Sequence, residues 1–521
     1  MSEKEKITRA VGIVGSATLL SRIFGLVRDQ VTAYFFGTGL AADAFFVAFR
    51  IPNLLRRLLA EGALTVSLVP IFTEYLTTRS RQEAFELARV ALTFFSILLA
   101  AVAILGIIFS PYIVWVFAPG FTSQPDKFAL TVLLTRIMFP YIFLVGLVAL
   151  AMGVLNSLGR FAAPALSPVF LNIGIILTVL VFSDYFDLPI VALALGVLVG
   201  GLLQVLLQIP SLAREKGLLG LSMKFGHPAL KKIGLLMLPA TLGAAVYQIT
   251  IFINTLLASF LPEGSVSYLY YADRIMQFPL GVFAVAVGTA VLPSLSRQAS
   301  QQDLPALIDT FSYAQRLIFF ITMPAMVGMI VLADPIITLL FQRGEFDQVS
   351  SLATAQALIA YALGLWSLSS VQVVVRVFYS LQDTATPAKL AVVTLIGNTI
   401  LGLLLMGPLK HVGLALASTG GSILNFIVLS VALRKRLGRL DGRRVIRAVF
   451  RYTLWSAAMG AAVFLAVRVS ARLLPASTAA KALEVLGGTI LGILVYVGLA
   501  ALWRAPEMDA FRRRVKRRGG S

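Results

Sequence analysis

The sequence has no cysteine, and among its 521 residues only two histidines, His227 and His411. Disulfides and thiolate metal sites are excluded, and redox or zinc chemistry has almost nothing to work with. Charge is scarce, at 13% of positions, against roughly 25% in ordinary soluble domains. Acids are the scarcer sign, 24 against 44 bases. Also missing are a GxxxxGK[ST] phosphate loop, an H-x-x-E or HExxH pattern and a GxSxG turn, so ATP-driven pumping and hydrolytic catalysis lose support. The chain is expected not to be an enzyme and to need no cofactor or metal.

What is abundant is apolar sequence: 58% hydrophobic residues and a mean hydropathy of +0.89. The runs recur along the whole length at or above the ~20 residues needed to cross a bilayer. They predict an all-α polytopic membrane protein of about fourteen spans. These lie near 8–36, 42–75, 85–116, 128–157, 163–182, 188–210, 230–261, 266–296, 309–341, 350–380, 386–407, 411–433, 446–471 and 480–504. The first run is too long, and too interrupted by charge, to be a cleaved signal peptide.

The formal net charge of +20 raises nucleic-acid binding, but the bases sit in the wrong places for it. They cluster in links, at Arg214, Lys216, Lys224, Lys231 and Lys232, then from Arg434 to Arg447, and in the tail "FRRRVKRRGG". That is the positive-inside pattern, with anionic membrane lipids as the partner, and it places both termini in the cytoplasm. The links "FFGTGLAA", "FSDYFDLP" and "LPEGS", without Lys or Arg, fall on the outer side.

The chain also resembles itself. "VLNSLGRFAAPAL" (154–166) and "VFYSLQDTATPAK" (377–389) share V-x-x-S-L-x-x-x-A-x-P-A at an offset of 223 residues. A weaker echo pairs "IPNLLRRLLAEGALTVSLVP" with "FPLGVFAVAVGTAVLP". Six spans separate equivalent positions, an even number, so the copies insert in the same sense as a parallel repeat. The expected organisation is an N-lobe at 1–215, a C-lobe at 216–440, two extra helices at 441–505 and a basic tail at 506–521. The two six-helix lobes would surround a central cavity.

Several spans carry ions: Arg22, Arg28 and Asp29 in the first, Arg50, Arg56, Arg57 and Glu61 in the second, Asp273 and Arg274 in the eighth. A charge at the bilayer centre costs at least ~2.5–3.5 kcal/mol, so such groups normally face a wet cavity or each other. Arg22 lies about 20 Å along its helix, far from either interface. Arg22 and Asp29 share a face, and Arg57 and Glu61 are spaced to neutralise each other. For Asp29, Arg57, Glu61 and Asp273, pairing that holds helices together and direct ligand contact both account for the placement. Arg50, Arg136 and Arg376 read as snorkelling or locally paired. Arg22, Arg28, Arg56 and Arg274 form a net cationic group on helices of both lobes. Guanidinium in surplus there calls for an incoming anion, and its planar fork suits phosphate oxygens.

"SRIFGLVRDQ", "ADAFFVAFRIPNLLRRLLAEGA", "VFAPGF", "YYADRIMQFPLGV", "LPSLS" and "FYSLQDTATP" resemble the MurJ (MviN) family of bacterial lipid II flippases, in the multidrug/oligosaccharidyl-lipid/polysaccharide exporter superfamily. The resemblance implies transfer of lipid II, the undecaprenyl-diphosphate-linked peptidoglycan precursor, across the bacterial cytoplasmic membrane, with Arg22, Arg28, Arg56 and Arg274 as substrate-binding arginines. It also implies that the last two helices, about 446–504, form a groove for the polyprenyl tail. The sodium site of some members does not carry over, since the seventh span has no acid and only Asp383 is a candidate. Membrane potential is the expected driver, and the chain is expected to act as a monomer. An exporter of another lipid-linked oligosaccharide would share the diphosphate chemistry, whereas a cation-coupled drug exporter would need a cavity of the opposite sign.

Overall fold

The computed structural model describes residues 3–58, 64–215, 220–473, 475 and 477–508, all helical or in short links between helices. They form two compact units, Met1–Ser267 and Tyr268–Ser521. In chain order the first holds α1 (Glu3–Phe36), α2 (Leu40–Leu55), α3 (Thr65–Thr78), α4 (Arg81–Ile108), α5 (Ser110–Phe117), α6 (Pro125–Met138), α7 (Tyr141–Ser157), α8 (Ala162–Phe182), α9 (Ile190–Ala213) and α10 (Pro228–Ser259). Next come α11 (Ser265–Pro279), α12 (Val285–Ser300), α13 (Leu304–Val331), α14 (Ala333–Phe341), α15 (Gln348–Ala362), α16 (Leu365–Ser380), α17 (Ala385–Leu437), α18 (Gly442–Leu473) and α19 (Thr478–Leu502). The packing boundary falls after α10, whereas the sequence repeat divides at 215/216; contacts define the one and self-similarity the other.

Each apolar segment read from the sequence is a helix or a broken helix. Nine helices among the described residues are long and apolar enough to cross a bilayer, ten if α15 and α16, bent by 40°, are taken together. The eleventh and twelfth segments run on as α17 but are parted at Lys410, whose backbone turns to a φ of 51°. The second is split between α2 and α3, and Glu61, with the rest of 59–63, lies outside the described residues. So does the basic run of the tail, from 509 onward.

The internal repeat is legible at the level of single backbone turns. The chain breaks at Phe109, between α4 and α5, and 223 residues later at Leu332, between α13 and α14. It breaks at Pro140 before α7 and at Gly364 before α16. After α7 the Leu158 amide bonds back to Val154 and Leu155 and the Arg160 amide to Leu155. After α16 Leu381 and Asp383 repeat those bonds to Val377 and Phe378, with Gly159 and Gln382 both at positive φ. Even the weaker echo has a structural counterpart. Pro52 precedes a π-helical turn at residues 56–58, and Pro279 precedes another at Leu280–Ala284. A proline removes one intrahelical donor and crowds the preceding turn, and a widened turn is one way to absorb that.

Local sequence sets the helix ends. Ser80 accepts from the Glu83 amide while its hydroxyl meets the Glu83 carboxylate, a capping box at the start of α4. Asp303, Asp347 and Ser477 cap α13, α15 and α19 by accepting from the amide three residues on. In the first unit, α8 lies between α1 and α9. A Cβ placed on Gly174 would stand 2.4 Å from the Cα of Gly200, so the α8 and α9 backbones touch, as small residues permit in membranes. In the second, α18 packs on α13 and α19, and the buried Tyr496 hydroxyl donates to the Phe320 carbonyl at 2.8 Å.

Candidate substrate site

Arg28 and Asp29 are buried within the first unit, 8% and 3% exposed. Neighbours in a helix point about 100° apart, and here the long arginine side chain curls back to its neighbour. Arg28 Nη2 donates to Asp29 Oδ1 at 2.6 Å and Nε to the same oxygen at 3.1 Å. Arg28 Nη1 donates at 3.1 Å to Oδ1 of Asn172 on α8, and Asn172 Nδ2 donates at 3.3 Å to the Ser21 carbonyl. Asp29, which shares the Arg22 face by helical spacing, thus also meets its chain neighbour Arg28. Arg22 itself is exposed.

Arg56 stands on the first residue of the π turn after Pro52, half-buried, with Nε donating to Asn53 Oδ1 at 2.9 Å. Arg57 beside it is also half-buried. Its expected partner Glu61 is outside the described residues. Arg50 donates to the Thr255 hydroxyl on α10, and Arg136 to the Ser110 hydroxyl at 3.0 Å, both on neighbouring helices, 205 and 26 residues away in sequence. In the second unit Arg274 and Asp273 are half-buried within α11. Arg274 lies over the Tyr270 ring at 5.8 Å and Asp273 accepts from Gln277. A guanidinium against an aromatic face stays charged while shedding water. The first unit thus brings Arg28, Asp29 and Asn172 together, and Arg56 stands on the π turn that follows Pro52.

Sequence reasoning missed Asn172 and a second buried ion pair. Lys127 Nζ on α6 donates to Asp43 Oδ2 on α2 at 2.8 Å, with each side chain 1% exposed. Asp43 also accepts from the Gly264 and Ser267 amides at 2.8 and 2.9 Å and from the Ser267 hydroxyl at 2.7 Å, so it caps the first turn of α11. Lys127 rests 4.3 Å from the centre of the Phe121 ring. The signal was available: Asp43 interrupts "AADAFFVAF" as Asp29 interrupts "FGLVRDQ". Asp383, at the link between α16 and α17, is committed to the protein. It accepts from the Thr386 amide and hydroxyl and pairs with Arg436, which hold its carboxyl below the usual range. Among the described residues no three His, Asp or Glu side chains gather as a metal site.

The sequence matches the family described as lipid II flippase MurJ over residues 32–481. The chain belongs to the MurJ family. A probable lipid II flippase MurJ of Vibrio cholerae is 36% identical over 497 residues, covering 94% of this chain and 95% of that protein. The lipid II flippase MurJ of Burkholderia cenocepacia is 38% identical over 435 residues, covering 82% and 84%. A solved structure of lipid II flippase MurJ in an inward closed conformation superposes with a TM-score of 0.79 at 28% identity, covering 94% of this chain and 98% of that one. An inward-facing multidrug MATE-family transporter of the MOP superfamily, at TM-score 0.69 and 18% identity, shares the fold. MurJ membership implies transport, and a multi-pass membrane location follows.

Proposed function

We propose that this chain moves lipid II from the cytoplasmic to the outer leaflet of the bacterial cytoplasmic membrane by alternating access, as a monomer with both termini in the cytoplasm. The observation that carries the site is Arg28: a buried guanidinium on α1, paired with Asp29 and held by a neutral amide. An arriving diphosphate can take over the charge that Asp29 balances, which makes the group a capture device instead of a permanent structural pair. Arg22, Arg56 and Arg274 supply further positive charge, with Asp29, Arg57, Glu61 and Asp273 adjusting it.

The N-lobe at 1–215 and the C-lobe at 216–440 would move as bodies about the bound head group. Neutralising the arginines relieves their mutual repulsion, so substrate itself favours the change of state. Each elementary charge crossing 100 mV is worth about 2.3 kcal/mol, and an inside-negative potential drives a diphosphate outward. The segment 441–505 would take the polyprenyl tail. In support, α18 and α19 turn Leu465, Leu486 and Leu494 outward, each more than half exposed, as a lipid-facing surface requires. The test is rescue of cells depleted of their own flippase. Arg28→Ala and Arg274→Ala are expected to abolish rescue at an undiminished amount of protein in the membrane. Full rescue by both refutes the site.

A further inference from the structure

Asn172 stands in α8, "AAPALSPVFLNIGIILTVLVF", a helix otherwise built for lipid and packing. It is 5% exposed and 144 residues from the arginine it touches. Its two hydrogen bonds fix the amide: Nδ2 donates to the Ser21 carbonyl on α1, which leaves Oδ1 facing the Arg28 guanidinium. A Cβ built on Gly25, one turn after Ser21, would lie 3.7 Å from Asn172 Nδ2, an ordinary contact distance, so the amide lies against α1 at this turn.

Asp29 and Asn172 therefore meet Arg28 in different ways. Asp29, on the Nε and Nη2 edge, balances charge. Asn172, on Nη1, contributes geometry and no charge. Nε and Nη2 form the edge that grips an oxyanion in parallel hydrogen bonds, and it is this edge that a diphosphate would take from Asp29. Were Asp29 the sole anchor, its displacement would release the guanidinium to several rotamers at the moment of capture. A neutral amide on the opposite nitrogen keeps the plane fixed through the exchange. A second acid there, beside Asp29, would make the site net negative and oppose a diphosphate; an apolar side chain would leave a charged N–H facing hydrocarbon.

We propose that Asn172 is a positioning residue of the flippase, holding Arg28 by Nη1 so that its Nε and Nη2 edge can pass from Asp29 to the diphosphate of the lipid. This rests on the reading of Arg28 as a phosphate ligand. The experiment is a titration of the purified full chain with lipid II in detergent, read by native mass spectrometry, with thermal unfolding measured on every variant. Losing one hydrogen bond to a charged group should weaken binding about tenfold in Asn172→Leu. Asn172→Asp, which adds a competing carboxylate, should weaken it about a hundredfold. The readout that a purely structural role would not move is charge-swap rescue: Asp29→Asn combined with Asn172→Asp should recover at least tenfold over Asn172→Asp alone. Native affinity in Asn172→Leu, or no recovery in the double variant, overturns the inference. Arg28→Ala separates the two levels. If it binds lipid II like the native chain, the reading of Arg28 falls and this inference with it; if it loses binding while the Asn172 variants keep it, only this inference falls.

Discussion

Lys127→Met should destabilise the first unit by about 3 kcal/mol. The estimate begins from the cost of orphaning one member of a buried ion pair, about 3–5 kcal/mol. Asp43 keeps three protein donors after the change, the Gly264 amide and both donors of Ser267, so the loss belongs at the lower end. Asp43→Ala is worse. It strands the Lys127 ammonium and two backbone N–H groups at the start of α11, and falls near 5 kcal/mol, since each unmade buried hydrogen bond adds about 1–3 kcal/mol. In the double variant the stranded ammonium is gone as well, so its destabilisation should be about 2–3 kcal/mol less than the sum of the singles. The assay is equilibrium denaturation in mixed micelles, read through the four tryptophans. Additive effects below about 1 kcal/mol each would mean that water reaches the pair, and would refute the account of it as a buried clamp.

Gly174→Leu should disrupt the crossing of α8 on α9, because its first carbon would meet the Gly200 backbone at 2.4 Å; overpacking typically costs about 1–3 kcal/mol, seen as a lower unfolding temperature. At the other end of the chain, Glu507 is fully buried and Arg316 Nη1 donates to it at 3.0 Å, so Glu507→Leu leaves an orphaned cation on α13 and should destabilise the second unit by about 3 kcal/mol in the same denaturation assay. Asp383 supplies a pH test. Its carboxyl titrates below the usual value of about 4, chiefly through the Thr386 amide and hydroxyl and secondarily Arg436. A lowered folded value means that the stabilisation is present at neutral pH and is lost as pH falls through that value. Amide exchange at the start of α17 should therefore stay slow at neutral pH and quicken only in strong acid, and Asp383→Asn should flatten the acid limb.

Much of the fold was legible because bilayer physics leaves few options. Long apolar runs in a bilayer fold as helices, because every backbone N–H and C=O must be paired within the segment. The repeat could be seen because "VLNSLGRF" and "VFYSLQDT" make the same helix end twice, with Gly159 and Gln382 in the same backbone region. The deep arginines stood out for the same reason, each being an expensive residue in oil. Which acid meets which base was not legible. Helical spacing puts Asp29 on the Arg22 face and says nothing of i,i+1 neighbours, whereas the arginine side chain is long enough for Arg28 to curl back to Asp29. Asn172 and Lys127 were invisible as partners because both contacts depend on how helices far apart in sequence pack. A single amide in α8 or a lysine near the start of α6 has no periodic signature.

The most direct measurement of the central claim is the rate at which lipid II crosses the membrane of vesicles reconstituted with the native chain and with Arg22→Ala, Arg28→Ala, Arg56→Ala and Arg274→Ala. Loss of a charge-assisted bidentate contact of about 3 kcal/mol predicts a fall on the order of a hundredfold for Arg28 and Arg274 at equal protein content. Native rates in both of those variants would contradict the account.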